Sequence, residues 1–120
     1  MARPTRRTNR SWYFRGRVNG AKGADIASAE TITLGNDGNY FDITGTTAIK
    51  YITTAGWKAG AMVTLQFDGS VTVHHDEGTI PSGAAEILLA SAGDLSATAD
   101  DTLTLVYDGV TWREVARTVI

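Results

Sequence analysis

The chain has 120 residues, the size of one ordinary domain, and its hydrophobic fraction of 42% supplies one modest core. It contains no cysteine, which excludes a disulfide framework and a thiolate metal site, and no apolar run long enough to cross a bilayer. The net charge of -2 is unevenly divided, since residues 1–22 carry seven basic side chains and no acid, whereas the remainder carries four basic and 13 acidic ones.

The first 29 residues are predicted to form a basic, aromatic N-terminal arm that precedes an all-β domain at residues 30–120. The guanidinium group of arginine binds carboxylate or phosphate through two parallel hydrogen bonds. Large aromatic side chains that fill pockets contribute much of the binding free energy at protein interfaces. We favour docking of the arm onto an acidic protein surface, because that explains the aromatic residues as well as the charge. Nucleic-acid binding and a solvated tail folded partly onto the protein's own core are the alternatives. The predicted partner-binding residues are Arg3, Arg6, Arg7, Arg10, Trp12, Tyr13, Phe14, Arg15 and Arg17.

From about residue 30, short runs rich in Thr and Val alternate with Gly, Asp, Asn and Ser clusters that are typical of turns. This pattern predicts an all-β fold, a small sandwich or barrel-like (jelly-roll-like) module of about eight short strands. Residues 83–92 are also compatible with one or two helical turns, because they are rich in good helix formers. The predicted strands are Glu30–Leu34, Tyr40–Ile43, Ile49–Thr53, Met62–Phe67, Val71–His74, Glu86–Leu89, Leu103–Tyr107 and Val110–Val115.

An Asp-Gly pair at residues 108–109 lies between two alternating runs and predicts a two-residue type I′ hairpin. That loop would pair Tyr107 with Val110 and Leu105 with Trp112, which places all four large side chains on one face.

The Asp-Gly pair at residues 68–69 requires a different turn, because a two-residue loop would set the valines that follow on the wrong face. A three-residue loop, with Gly69 left-handed in a G1 bulge, would pair Leu65 with Val71 and Val63 with Val73.

Three further features of the body are candidate sites. Trp57 lies in a loop of small residues and is either a partner or glycan contact or a cap on the core. His74–Glu77 has metal-ligand residue types, but adjacent strand residues point to opposite faces, so we interpret it as a polar strand end and predict no metal site. Asp94, Asp100 and Asp101 are interpreted as turn residues and a polar cap before the next strand, not as paired catalytic carboxylates.

Many predicted strands alternate apolar residues with Thr and not with Lys or Glu. Uncharged faces of this kind suit burial against another subunit, since a hydroxyl costs less to desolvate than a charge. We therefore expect a symmetric homo-oligomer.

From about residue 38 to residue 117 the chain resembles a module of tailed-bacteriophage structural proteins, which occurs in tail fibres, head fibres and capsid decoration proteins. The residues that carry the resemblance are Tyr40-Phe41-Asp42-Ile43-Thr44-Gly45-Thr46-Thr47, Val63-Thr64-Leu65-Gln66-Phe67-Asp68-Gly69, Val71-Thr72-Val73 with His75, Ala92-Gly93-Asp94 and Trp112-Arg113. A departure is Ile80-Pro81-Ser82-Gly83, where the family has an apolar-Pro-Gly-Gly stretch. The resemblance implies a virion component that is commonly trimeric.

Length favours a decoration (cement) protein over a fibre that must hold an anchor, a shaft and a tip. The expectation is a homotrimer on the capsid exterior that binds the major capsid protein through its arm, with no cofactor, no membrane contact and no nucleic-acid partner. No nucleophile elbow, phosphate-binding Gly loop or Cys-His pair is present, so we predict that it is not an enzyme. The alternatives are a receptor- or glycan-binding fibre module and a nucleic-acid-binding protein.

Overall fold

The computed structural model describes residues 20–120 and shows a nearly all-β chain. Its one helical segment within those residues is a single 3-10 turn at Ala90–Ala92, and no helix there is long and apolar enough to cross a membrane. The strands are β1 (Ile26–Ala27), β2 (Thr31–Ile32), β3 (Tyr40–Thr44), β4 (Tyr51–Thr53), β5 (Met62–Phe67), β6 (Val71–Val73), β7 (Ala84–Leu88), β8 (Leu95–Ala97), β9 (Thr102–Tyr107) and β10 (Trp112–Thr118).

Eight of these strands form one curved sheet in the order β1-β3-β5-β9-β10-β7-β4-β2. The two outermost strands, β1 and β2, follow one another along the chain, with only residues 28–30 between them. The four Cα-to-Cα steps from Ala27 to Thr31 span at most about 14 Å, so the two edges of the sheet must lie close together. The sheet is therefore a nearly closed barrel, which confirms the prediction of a small barrel-like all-β fold.

Strand alternation fills the barrel with apolar side chains. In β3, β5 and β9 every second residue is almost fully buried, and the residues between them face outward. The remaining strands β6 and β8 pair with each other and add four more inward side chains. The largest fully buried side chains include Trp112, Phe41, Phe67, Ile43, Ile49, Ile52, Leu65, Ile87, Leu103 and Leu105.

Each of the eight predicted strands has a counterpart in the structure, and two further strands, β1 and β8, were not predicted. The helical alternative for residues 83–92 is wrong for Ala84–Leu88, which is a strand, and only the 3-10 turn at Ala90–Ala92 is helical. Ala85, Ile87 and Leu89 are 2%, 0% and 5% exposed, and the residues between them face away from the core. That period of two is the period of a strand and not of a helix.

The predicted two-residue hairpin at Asp108-Gly109 is wrong in register. Tyr107 pairs with Trp112 and not with Val110, so four residues separate the paired positions. The Asp108 carboxylate causes this, because it accepts the N–H groups of Val110 and Thr111 and holds them out of the ladder. The pairing shifts by two residues, which preserves strand parity, so Tyr107 and Trp112 still share the inner face. Val110 is 75% exposed at the tip.

The predicted hairpin at Asp68-Gly69 is wrong in its partner. The chain leaves the eight-stranded sheet after Phe67, and β6 pairs with β8. Both edges of β5 are already paired, one with β3 and the other with β9. Gly69 does not have a positive φ, so no G1 bulge forms. Val71 and Val73 nevertheless face the core, as their alternation indicated, and are 2% and 1% exposed.

Candidate functional site

All nine predicted partner-binding residues of the arm lie outside the described residues, so the binding role of the arm stays a prediction. The described part of the segment that precedes residue 30 runs along β3. The N–H of Gly23 donates to the carbonyl of Tyr40 at 2.9 Å, and the N–H of Asn39 donates to the carbonyl of Ala21 at 2.9 Å. Further on, β1 pairs in parallel with the end of β3.

A pocket of about 220 Å³ opens where two loops meet. The first loop follows β2 and contributes Leu34 to Asn39, except Asp37, and the second follows β4 and contributes residues 55–57. Its walls combine the indole of Trp57, the apolar side chain of Leu34 and the amides of Asn36 and Asn39 with the backbone of three glycines. The residues that line this pocket carry no charged side chain.

The loop at residues 34–39 forms the first wall of the pocket and is fixed by three hydrogen bonds to other parts of the chain. The carboxylate of Asp37 accepts the N–H of Ala24 at 2.9 Å, and the Nδ2 of Asn39 donates to the carbonyl of Met62 at 2.8 Å. The carbonyl of Asn39 accepts the N–H of Thr64 at 2.8 Å. Gly38 allows this close approach, because a Cβ at that position would collide with the carbonyl of Ala21 and the N–H of Gly23.

Trp57 forms the second wall. The turn before it is closed by its own N–H, which donates to the carbonyl of Thr54 at 3.1 Å, and Gly56 supplies the positive φ of +86° that the turn requires. The indole packs almost perpendicular to the buried ring of Trp112, with centroids 5.5 Å apart, and Trp112 packs in turn against Tyr107. Trp57 is half-buried and packs against the core, which confirms the core-cap alternative, and it also lines a surface pocket. A partner or glycan contact of Trp57 stays a prediction.

The two histidines at the end of β6 bind different partners. The Nδ1 of His74 lies 3.1 Å from a carboxylate oxygen of Asp94, whose other oxygen accepts the backbone N–H of His75 at 2.8 Å. That backbone hydrogen bond is the main reason that the pKa of Asp94 is below its ordinary value. The Nδ1 of His75 accepts the N–H of Leu89 at 2.9 Å, which places the ring proton of the neutral imidazole on Nε2. Within residues 20–120 no group of three or more His, Cys, Asp or Glu side chains is arranged to hold a metal ion.

The interpretation of Asp100 and Asp101 as turn and cap residues is confirmed. Asp101 is 1% exposed and accepts the N–H groups of Thr98 and Ile120, both at 2.8 Å. These bonds, that from Thr98 first, lower the pKa of the Asp101 carboxyl. Asp100 lies in the turn with a φ of +73°, and its N–H donates to the carbonyl of Phe67. Both residues hold the chain before β9.

The outer face of β5 and β9 is uncharged, as the alternation with Thr indicated, and it is polar except at the Met62–Val106 pair at one end. Thr64 pairs with Thr104 across the two strands, with hydroxyls 2.9 Å apart, and Gln66 pairs with Thr102. The phenol of Tyr40 on β3 donates to the side-chain oxygen of Gln66. The middle of the sheet thus presents a hydroxyl and amide surface to the outside.

Sequence reasoning identified Trp57 but not the loop opposite it. Residues 35–39 form a run of Gly, Asn and Asp, and that composition by itself predicts only a turn. The one available signal was the length of that run, since five polar or glycine residues exceed what a tight turn needs. No family model, curated protein or solved structure matches the chain.

Proposed function

We propose that this protein is a capsid decoration (cement) protein of a tailed bacteriophage, which binds the major capsid protein lattice on the capsid exterior through its N-terminal arm. The observation that carries the proposal is the separation of charge between the arm and the body. Residues 1–22 carry seven basic side chains and no acid, and the rest of the chain has nine more acidic than basic side chains.

The body strengthens this separation, because three of the four basic side chains that follow residue 22 are paired with carboxylates of the body. Lys50 lies 3.5 Å from Glu77. Arg113 and Arg117 each lie 2.6 Å from a carboxylate, those of Asp108 and Glu114. The body therefore offers little positive charge to an acidic partner, and most basic residues of the chain belong to the arm.

The arm must also offset the cost of its own ordering, which is roughly 1–2 kcal/mol per residue. Arg side chains supply charge-assisted hydrogen bonds to carboxylates, and Trp12, Tyr13 and Phe14 supply apolar anchors. Many copies on one lattice add their effects and would hold neighbouring capsid subunits together.

A homotrimer completes the proposal. Its support is the uncharged outer face of β5 and β9, where Thr64, Gln66, Thr102 and Thr104 are half-buried before any second copy is added. Light scattering of the purified protein measures the mass directly. A Thr104→Glu variant places a charge on that face and is expected to give a smaller assembly, while Ser70→Glu, beyond the end of β5, leaves the mass unchanged.

The direct test deletes residues 1–17 and measures cosedimentation with purified undecorated capsids. We expect binding to be lost while circular dichroism shows an intact barrel. Two full-length variants separate the contributions: one changes Arg3, Arg6, Arg7 and Arg10 to Gln, and the other changes Trp12, Tyr13 and Phe14 to Ala. Undiminished binding by the deleted protein would show that the arm is not the capsid contact.

Gel-shift titration at increasing salt tests the nucleic-acid alternative. A protein that neutralises several phosphates loses affinity steeply between about 50 and 200 mM salt. A specific shift of DNA or RNA together with no affinity for capsids would replace the decoration function.

A further inference from the structure

We propose that the pocket between residues 34–39 and residues 55–57 binds one neutral sugar ring, the terminal unit of a glycan. This site is separate from the arm and goes beyond the proposed capsid function. It is argued from the chemistry, the size and the rigidity of the pocket.

The chemistry of the walls fits an uncharged polar ligand with one apolar face. Every lining residue is uncharged, which gives phosphate, sulfate or carboxylate groups no counter-charge within the pocket. Trp57 offers an indole, whose apolar surface suits the C–H face of a sugar ring. Asn36 and Asn39 offer amides, which donate to and accept from hydroxyl groups.

Asn39 is held in one orientation toward such a ligand. Its Nδ2 already donates to the carbonyl of Met62 at 2.8 Å, so its Oδ1 and its second amide hydrogen remain to bind a sugar hydroxyl. Asn36 is exposed at the pocket mouth. One anchored amide and one exposed amide beside an aromatic wall are groups that recognise hydroxyls.

The size of the pocket limits the ligand to a single ring. At about 220 Å³ it is smaller than the roughly 300–1,000 Å³ of sites that enclose drug-sized ligands. A longer glycan therefore places its terminal unit in the pocket and extends the rest into solvent.

The walls are also preorganised. Asp37, Asn39 and Gly38 fix the first loop against residues 21–24 and β5, and Trp57 is packed on the core through Trp112. A ligand that enters such a site pays little for ordering the protein, which is the condition under which one ring can bind measurably.

The test is a titration of the full chain with glucose, galactose, mannose and N-acetylglucosamine, followed by amide chemical shifts. We expect saturable binding of at least one of these sugars, with shifts centred on Gly35, Gly38 and Gly56. Trp57→Ala and Asn36→Ala are each expected to weaken that binding at least about tenfold. Ser70→Ala is the matched control, since it lies beyond the opposite end of β5.

Trp57→Ala also removes a contact with the core, so Trp57→Phe, which keeps an aromatic ring there, accompanies it together with a thermal melt of each variant. No saturable binding of any of the four sugars would overturn the proposal, as would binding that survives both alanine substitutions. Tighter binding of N-acetylneuraminic acid or phosphate than of the neutral sugars would overturn it too. The protein lacking residues 1–17 is expected to bind sugar normally, so the capsid proposal and this one fail independently.

Discussion

At the scale of single residues, Asp108 determines how β9 turns into β10. Its carboxylate accepts the N–H groups of Val110 and Thr111 at 2.8 and 2.6 Å, the hydroxyl of Thr111 at 2.9 Å and the Nε of Arg113 at 2.6 Å. These donors, the Thr111 N–H first and the Arg113 guanidinium second, hold the pKa of Asp108 far below its ordinary value of 3.8.

We predict that Asp108→Ala lowers the urea midpoint of unfolding at pH 7. A depressed carboxyl pKa contributes stability above the unfolded pKa, and that stability is lost as the pH falls toward the folded pKa. The difference between Asp108→Ala and the parent protein is therefore expected to shrink below about pH 4. Asp68→Ala, at the other Asp-Gly pair, is the matched control. An equal effect of the two substitutions would contradict the special role of Asp108.

Removal of the charge of Glu86 is predicted to raise stability at neutral pH, which is the opposite of the effect predicted for Asp108. Partial burial, followed by the neighbouring carboxyl of Asp76, raises the pKa of Glu86 above its ordinary value of 4.5. Because a raised carboxyl pKa favours folding only while the group is protonated, ionised Glu86 destabilises the fold at neutral pH. Glu86→Gln is expected to stabilise the protein at pH 7 by less than about 1 kcal/mol and to have no effect near pH 3. Thermal melts at both values measure this, and a larger gain at pH 3 would refute the assignment.

At the scale of elements, the pairing of β6 with β8 differs from the β5-β6 hairpin that the sequence predicts, and a disulfide can test it. Thr72 and Ser96 face each other across β6 and β8. The carbonyl of Thr72 accepts the N–H of Ile49 on its other side, so Thr72 and Ser96 form a non-hydrogen-bonded pair, in which Cα atoms are about 4.5 Å apart. That separation is within the range that a disulfide bridges.

Because the chain has no cysteine, any intramolecular disulfide in a double-cysteine variant must join the two introduced residues. The double variant Thr72→Cys with Ser96→Cys is expected to form an intramolecular disulfide under mild oxidation. The control is Thr64→Cys with Thr72→Cys, the residues that would face each other if β5 and β6 formed a hairpin. Mass spectrometry after alkylation distinguishes them. Crosslinking of the control pair alone would restore the hairpin and overturn the β6-β8 pairing.

Alternation along each strand made most of the fold predictable, because it depends only on neighbouring residues. Val71 and Val73 were placed on the core side by their period of two even though their partner strand was wrong. Pairing could not be predicted in the same way, since β6 meets β8 across more than 20 residues and β8 itself is a three-residue strand among turn residues. The pocket shares this limit, because Trp57 and the loop at residues 35–39 meet only when the barrel is formed.

At the scale of the whole molecule, β1 is one of the two edge strands between which the barrel is not closed. The segment from Ala21 to Ser28 lies along β3 and is joined to it by three backbone hydrogen bonds outside the regular ladder, at 2.7–2.9 Å. Gly23 packs so closely on the ring of Phe41 that a Cβ there would collide with it, and Phe41 is 0% exposed. This segment therefore covers part of the core, although the sequence placed it in the arm.

Two truncations show where the arm ends and the body begins. Removal of residues 1–17 leaves all of these contacts in place and is expected to leave the unfolding midpoint unchanged. Removal of residues 1–29 takes away the three hydrogen bonds, each contributing about 1 kcal/mol, and uncovers Phe41, so we expect a loss of at least about 3 kcal/mol. For a domain of about 100 residues, that loss lowers the melting temperature by more than about 10 °C. Equal melting temperatures for the two truncated proteins would mean that residues 18–29 belong to the arm and that the barrel is complete without β1.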